Sequence, residues 1–390
     1  MKNLSLRWRS MCEGRFYRIL AVLFACSVNS VCHGQAATPS AATNLMQIGK
    51  FHAAELLWRQ LIQGAPQEAS FHTGLGVTLA QQGQPAQAVI EYNRSLALKP
   101  NQPDVLLDLG LAEFTQGRFA ETIRSFGPLL PAQSNNVQVR LVLGMSYFGL
   151  RRYSEAVVYL KGASESEPSN LELHKVLAQS CLWSNDYQCA LVEFKRILDV
   201  DPDAVQAHML TAVALDGMDR TSEAIAELQP AERTNPSEPN IHFELGYLYY
   251  RQQAYDQAER EFNLEITLDP DHAQAYTYLG DLALQRNDDP RAEAMLGKAI
   301  QLQKGIRLAY LDLGTIYFDK KDYQKSIAAL EQAEELDPTE PDAHYRLAQN
   351  YKALGEKEKA KIEFAKTKAL HSKKDKTLLH AMSGSNVALQ

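Results

Sequence analysis

The chain has 390 residues, 45% hydrophobic and 22% charged, with 40 Lys and Arg against 47 Asp and Glu. That is the composition of a folded protein with ample length for a core. The acidic balance, −7 overall, excludes nucleic acid as an expected partner, because phosphate binding needs a basic face.

At the N-terminus, Lys2, Arg7, Arg9, Arg15 and Arg18 precede the apolar run "ILAVLFACSV", and the small residues of "CHGQAA" follow. Basic, short apolar and small-residue stretches in that order describe a secretory signal over residues 1–34, cleaved after Gly34 or Ala36. The apolar run is too short to span a bilayer, which takes roughly 20 residues. A periplasmic or secreted protein is therefore expected. "LFAC" offers a lipobox-like alternative, in which a lipidated Cys26 would anchor the chain to a membrane. Cleavage would remove five basic residues and one acidic residue, leaving 35 against 46. Cys12, Cys26 and Cys32 would leave too. Cys181 and Cys189 would remain, in a compartment that permits disulfides.

Beyond residue 34 the chain repeats itself. Pro66, Pro100, Pro168, Pro202, Pro236, Pro270 and Pro338 are separated by multiples of 34 residues. Ten repeats starting at residues 35, 69, 103, 137, 171, 205, 239, 273, 307 and 341 fill residues 35–374, and 375–390 form a tail. The eighth position is always small: Ala42, Gly76, Gly110, Gly144 and so on to Ala348. The twentieth is too, from Ala54 and Ala88 to Ser326 and Ala360. Small residues twelve apart let two antiparallel helices approach closely. In "HFELGYLYYRQQAYDQAEREFNLEITLDP", Leu245, Leu248 and Tyr249 fall three to four apart, as do Ala258 and Phe262, with a polar break between. The proline after each second helix ends it. Each repeat is a helical hairpin that cannot bury its apolar face alone, so stacked neighbours must bury it.

Period, small residues and trailing proline together resemble the tetratricopeptide repeat family over residues 35–374. Repeat four, with Leu143, Gly144, Tyr147, Ala156, Ala163 and Pro168, matches best. The resemblance implies an all-α fold, a right-handed superhelix of ten helix–turn–helix repeats. It also implies a concave groove for a protein or peptide partner, lined by the second, fifth, ninth, twelfth and thirteenth positions of the first helices. Carried over by position, the third repeat gives Leu107, Leu111 and Phe114 to that groove, and the fourth gives Leu141, Met145 and Phe148. Trp183 comes from the fifth repeat, Met209 and Val213 from the sixth, and Phe243, Tyr247 and Tyr250 from the seventh. Leu311, Phe318 and Tyr345 follow. Apolar and aromatic side chains in a concavity are typical anchors of binding hot spots.

The stretch "HKVLAQSCLWSNDYQC" collects His174, Cys181 and Cys189, a residue set found in zinc sites. The spacing H-x6-C-x7-C lacks the close ligand pairs such sites use. His174 also shares the fourth position of its repeat with His72, His208, His242 and His344. The family packs a large aromatic there, so a packing role is expected and no metal. A disulfide between Cys181 and Cys189 and two separate thiols both remain open, the former requiring Cα atoms within about 7 Å.

Residues 341–376 hold ten Lys and Arg against five Asp and Glu. This last repeat is a solvated helix or a dock for anionic lipid or an acidic partner, as in a subunit of a cell-envelope machine. No GxSxG, Walker-type loop, HExxH or GxGxxG occurs, so neither an enzyme nor a cofactor is expected.

Overall fold

The prolines and polar breaks divide the chain into the helix pairs that the period predicts. The structure, a computed structural model, describes residues 37–133 and 136–382. The expected export signal with Cys26 lies outside the described residues. Among these, every regular element is a helix.

Two compact parts divide between Gln116 and Gly117. The first holds α1 (Pro39–Gln47), α2 (Phe51–Gly64), α3 (Ala69–Gln81), α4 (Pro85–Leu98) and α5 (Pro103–Thr115). Its core gathers Ala42, Ala54, Trp58, Leu75, Leu79 and Tyr92. The second opens with α6 (Phe119–Phe126), a 3-10 turn (Gly127–Leu129) and α7 (Leu130–Gln133). Here Pro128, which has no N–H to donate, interrupts the second helix of repeat three. Seven hairpins follow: α8 (Val137–Gly149) with α9 (Tyr153–Ser164), α10 (Leu171–Trp183) with α11 (Tyr187–Val200), and α12 (Val205–Gly217) with α13 (Thr221–Thr234). Next come α14 (Ile241–Arg251) with α15 (Tyr255–Leu268), α16 (Ala273–Gln285) with α17 (Asp289–Leu302), α18 (Arg307–Asp319) with α19 (Tyr323–Leu336), and α20 (Pro341–Ala353) with α21 (Lys357–Met382). The last helix runs past residue 374, where the tenth repeat was expected to end.

One backbone conformation recurs in all ten repeats. The fifteenth residue of every repeat is left-handed: Gly49, Gly83, Gly117 and Gly355 at φ 70–78°, and Arg151, Asn185, Asp219, Gln253, Asn287 and Lys321 at φ 59–62°. A left-handed residue after a helix turns the chain back while its N–H still bonds a helical carbonyl.

The small eighth position has a sharper cause than a small partner. A Cβ added at Gly76, Gly144, Gly246, Gly280 or Gly314 would lie 2.5–2.7 Å from Tyr92, Leu160, Phe262, Leu296 or Leu330, the residue sixteen places on. That residue, the twenty-fourth of the repeat, fills the hairpin and is almost completely buried in the first nine repeats, whereas in the last it is Phe364, 37% exposed. Burying a side chain of that size stabilises by about 1.5–3 kcal/mol. The twentieth position touches the eighth as well, since Ser326 Oγ donates to the Gly314 carbonyl at 2.6 Å.

Candidate functional site

The fourth-position histidines do more than pack. His72, His174, His208, His242 and His344 place Nδ1 2.5–2.8 Å from Glu91, Glu193, Glu227, Glu261 and Glu363, nineteen residues on. In the first four, Nε2 donates to the carbonyl of Pro66, Pro168, Pro202 or Pro236 at 2.9–3.1 Å. Each of these rings therefore ties its own two helices to the proline that ends the previous repeat. The glutamates are legible in hindsight. Repeats with histidine at the fourth position all have glutamate at the twenty-third, and the other five have Leu57, Ser125, Tyr159, Met295 and Ala329 there. Imidazole and carboxylate are two halves of one buried hydrogen bond, so one rarely appears without the other.

Cys181 and Cys189 form a disulfide across the turn between α10 and α11, with Cα atoms 5.7 Å apart. Of the two alternatives left by the sequence, separate thiols are set aside. The same bond occupies both sulfurs, and His174 is engaged by Glu193 and Pro168. The three residues do not converge as ligands.

The groove positions divide by burial. Leu107, Leu111 and Phe114 are half-buried in the first part. In the second part Leu141, Met145, Phe148, Val213 and Phe318 are also half-buried. Met209 and Leu311 depart from the expectation: they are 8% and 7% exposed and belong to core clusters. The fifth position there turns into the hairpin stack, where it gains apolar contact. Trp183 is 43% exposed and leans on Tyr153, with ring centroids 6.4 Å apart. Tyr345 is 48% exposed and sits edge-on to Phe364.

Phe243, Tyr247 and Tyr250 gather around Tyr278, a residue the positional rule misses. Centroid distances to its ring are 6.0, 5.7 and 5.2 Å, and Phe262 stacks on it at 5.3 Å. Tyr250 donates its hydroxyl proton to Asp281 at 2.5 Å. Burial pushes the Tyr278 hydroxyl up to about 12, with Tyr247, Asp281 and Glu244 adding to it. Carboxyls on the same run of first helices are perturbed too. Glu244 is pushed up to about 7 by burial, then by Asp216 and Glu265. Asp312 is pushed up to about 8 by burial and by Asp281 and Asp342, against Arg346, and its Oδ2 has no hydrogen-bond partner. Desolvation disfavours the charged form of an acid, which is why both shift upward.

In the last repeat, part of the positive charge is already satisfied. Lys359 pairs with Glu356 at 2.6 Å and lies over the Tyr351 ring, and Lys366 pairs with Glu363 and Glu334 at 2.9 and 3.3 Å. Among the described residues no helix is long and apolar enough to cross a membrane.

Hairpins of constant length, closed by one left-handed residue and buried around one large side chain, define a helical-repeat protein. The chain belongs to the tetratricopeptide repeat family. Models described as tetratricopeptide repeats match residues 40–103, 107–170, 212–271, 147–214 and 342–373, and one described as TPR repeat matches 314–355. The fold and family together make it a protein-binding scaffold.

No protein of curated function matches the sequence. Among solved structures, the chain resembles the Cut9 and Hcn1 hetero-tetramer of the APC/C at 16% identity and a TM-score of 0.46, over 85% of this chain and 74% of that one. Yeast Tom70 shares 15% identity at a TM-score of 0.42, over 88% and 94%. MamA shares 23% at 0.38, over 42% and 96%.

Proposed function

We propose that this protein is an exported, non-enzymatic scaffold that holds an extended or helical segment of a partner protein on the faces of its first helices. The observation that carries the reading is the exposure of Trp183 and Tyr345, 43% and 48%. Both are aromatics at positions the family presents to partners, and both keep a wet face. A large aromatic held partly exposed on a rigid helix offers contact area at little cost in side-chain entropy. Tyr247 is a poorer probe, because it packs edge-on against Tyr278 and its loss would disturb the hairpin stack.

The test has two stages. The exported form is used as bait, and the captured segment is then titrated against variants. Trp183→Ala and Tyr345→Ala are expected to weaken binding by about 1–4 kcal/mol each, with helicity by circular dichroism unchanged. Affinities equal to the parent chain would remove the assignment. Export is checked separately: the periplasmic or culture fraction should contain a chain shortened by the signal over residues 1–34. A second reading rests on the basic stretch 341–376, which would let a subunit of a cell-envelope assembly touch anionic lipid. Recovery with membranes should then fall steeply with salt.

A further inference from the structure

The five His–Glu pairs are not equivalent, and the differences fall at two neighbouring positions. The first lies ten residues before the histidine, in the preceding helix. Ile62, Ser164 and Leu198 stand there ahead of His72, His174 and His208, whereas Glu232 precedes His242 and Glu334 precedes His344. A second carboxylate therefore joins the pair in the seventh and tenth repeats.

The second position lies three residues after the paired glutamate. Arg94 and Arg196 stand there beside Glu91 and Glu193, at 2.6 and 3.8 Å, and Pro230 follows Glu227. In the last repeat Lys366 occupies the place and bridges both carboxylates, Glu363 at 2.9 Å and Glu334 at 3.3 Å. His344 Nδ1 lies 2.7 and 3.7 Å from the same two groups. In the seventh repeat that place is Leu264, 46% exposed. Two carboxylates and an imidazole thus recur with the same spacing, once with a cation between the acids and once without.

We propose that Glu232, His242 and Glu261 bind a divalent cation of the Zn2+ class. Their donor atoms all lie within 4.8 Å of one another. Zinc bonds of about 2.0–2.2 Å place ligand atoms roughly 3.4 Å apart, so closure requires only rotation of the two partly exposed glutamates. His242 Nε2 donates to the Pro236 carbonyl at 3.1 Å. That bond fixes the tautomer and leaves the Nδ1 lone pair for a metal, as backbone carbonyls do for metal-bound histidines. One imidazole and two carboxylates suit Zn2+ or a similar first-row ion, with water completing the shell. The ion displaces the proton shared between Nδ1 and Glu261 into solvent and takes the place that Lys366 holds in the last repeat.

The experiment uses the untagged full chain, dialysed against micromolar Zn2+ and assayed for bound metal and for Tm. One retained equivalent is expected, with a Tm raised by several degrees and brought back by chelator. Glu232→Gln keeps the His242–Glu261 pair and the fold, and is expected to lower affinity at least tenfold. Lys366→Ala opens the second cluster and is expected to raise retention to two equivalents. Equal retention by Glu232→Gln and the parent chain, no retained equivalent in the parent, or no gain in Lys366→Ala each overturns the proposal.

Discussion

At the scale of single residues, the sequence accepts strain where the repeat demands it. Arg151 and Lys321 occupy the left-handed region at φ 59° and 60°, where a Cβ crowds the backbone at a cost of roughly 1–2 kcal/mol. Four other repeats use glycine at this place. Arg151→Gly and Lys321→Gly are therefore expected to stabilise by about 0.5–1 kcal/mol each in urea unfolding, even though glycine loses more entropy on folding. Asp312 gives a pH-dependent counterpart. Its folded pKa, about 8, lies above the unfolded value, so the folded state holds the extra proton and stability falls as pH rises from about 4 to 8. Asp312→Asn should remove that component and gain roughly 1–3 kcal/mol above pH 8. Parallel pH profiles for the two chains would show that Asp312 ionises without penalty.

At the scale of elements, the eighth repeat carries Tyr276 and Met295 at the two positions that hold the His–Glu pair in five other repeats. Glu193→Met strands His174 Nδ1 in a site where the residue is 1% exposed, and is expected to cost about 1–3 kcal/mol. The double variant His174→Tyr with Glu193→Met copies Tyr276 and Met295, and should recover most of that loss. Losses that simply add in the cycle would mean that the two side chains act independently.

On the scale of the whole molecule, each helix within a compact part packs chiefly on its neighbours in sequence. Stability is then close to a sum of hairpin and nearest-neighbour contributions, and unfolding need not be all-or-none. Trp58 is 5% exposed in the first compact part. In a Trp183→Phe chain freed of residues 1–34, Trp58 is the sole tryptophan, so its fluorescence reports that part alone. Its urea midpoint is expected to differ from the midpoint of total helicity. Coincident curves would instead show a single cooperative unit.

The sequence alone determined the period, the hairpins and the family, because a spacing of 34 leaves its mark in small residues and prolines whatever the remaining side chains are. It also carried the His–Glu pairs, as a match between two positions of one repeat. Only the tertiary structure decided which groove positions stay wet: Met209 and Leu311 turn into the core while Trp183 and Tyr345 do not. It also joined Cys181 to Cys189 and drew Tyr278 under Tyr247 and Tyr250. The reason is physical. Periodicity fixes which face of a helix a residue occupies, but burial and pairing depend on the side chain that the next repeat brings against it.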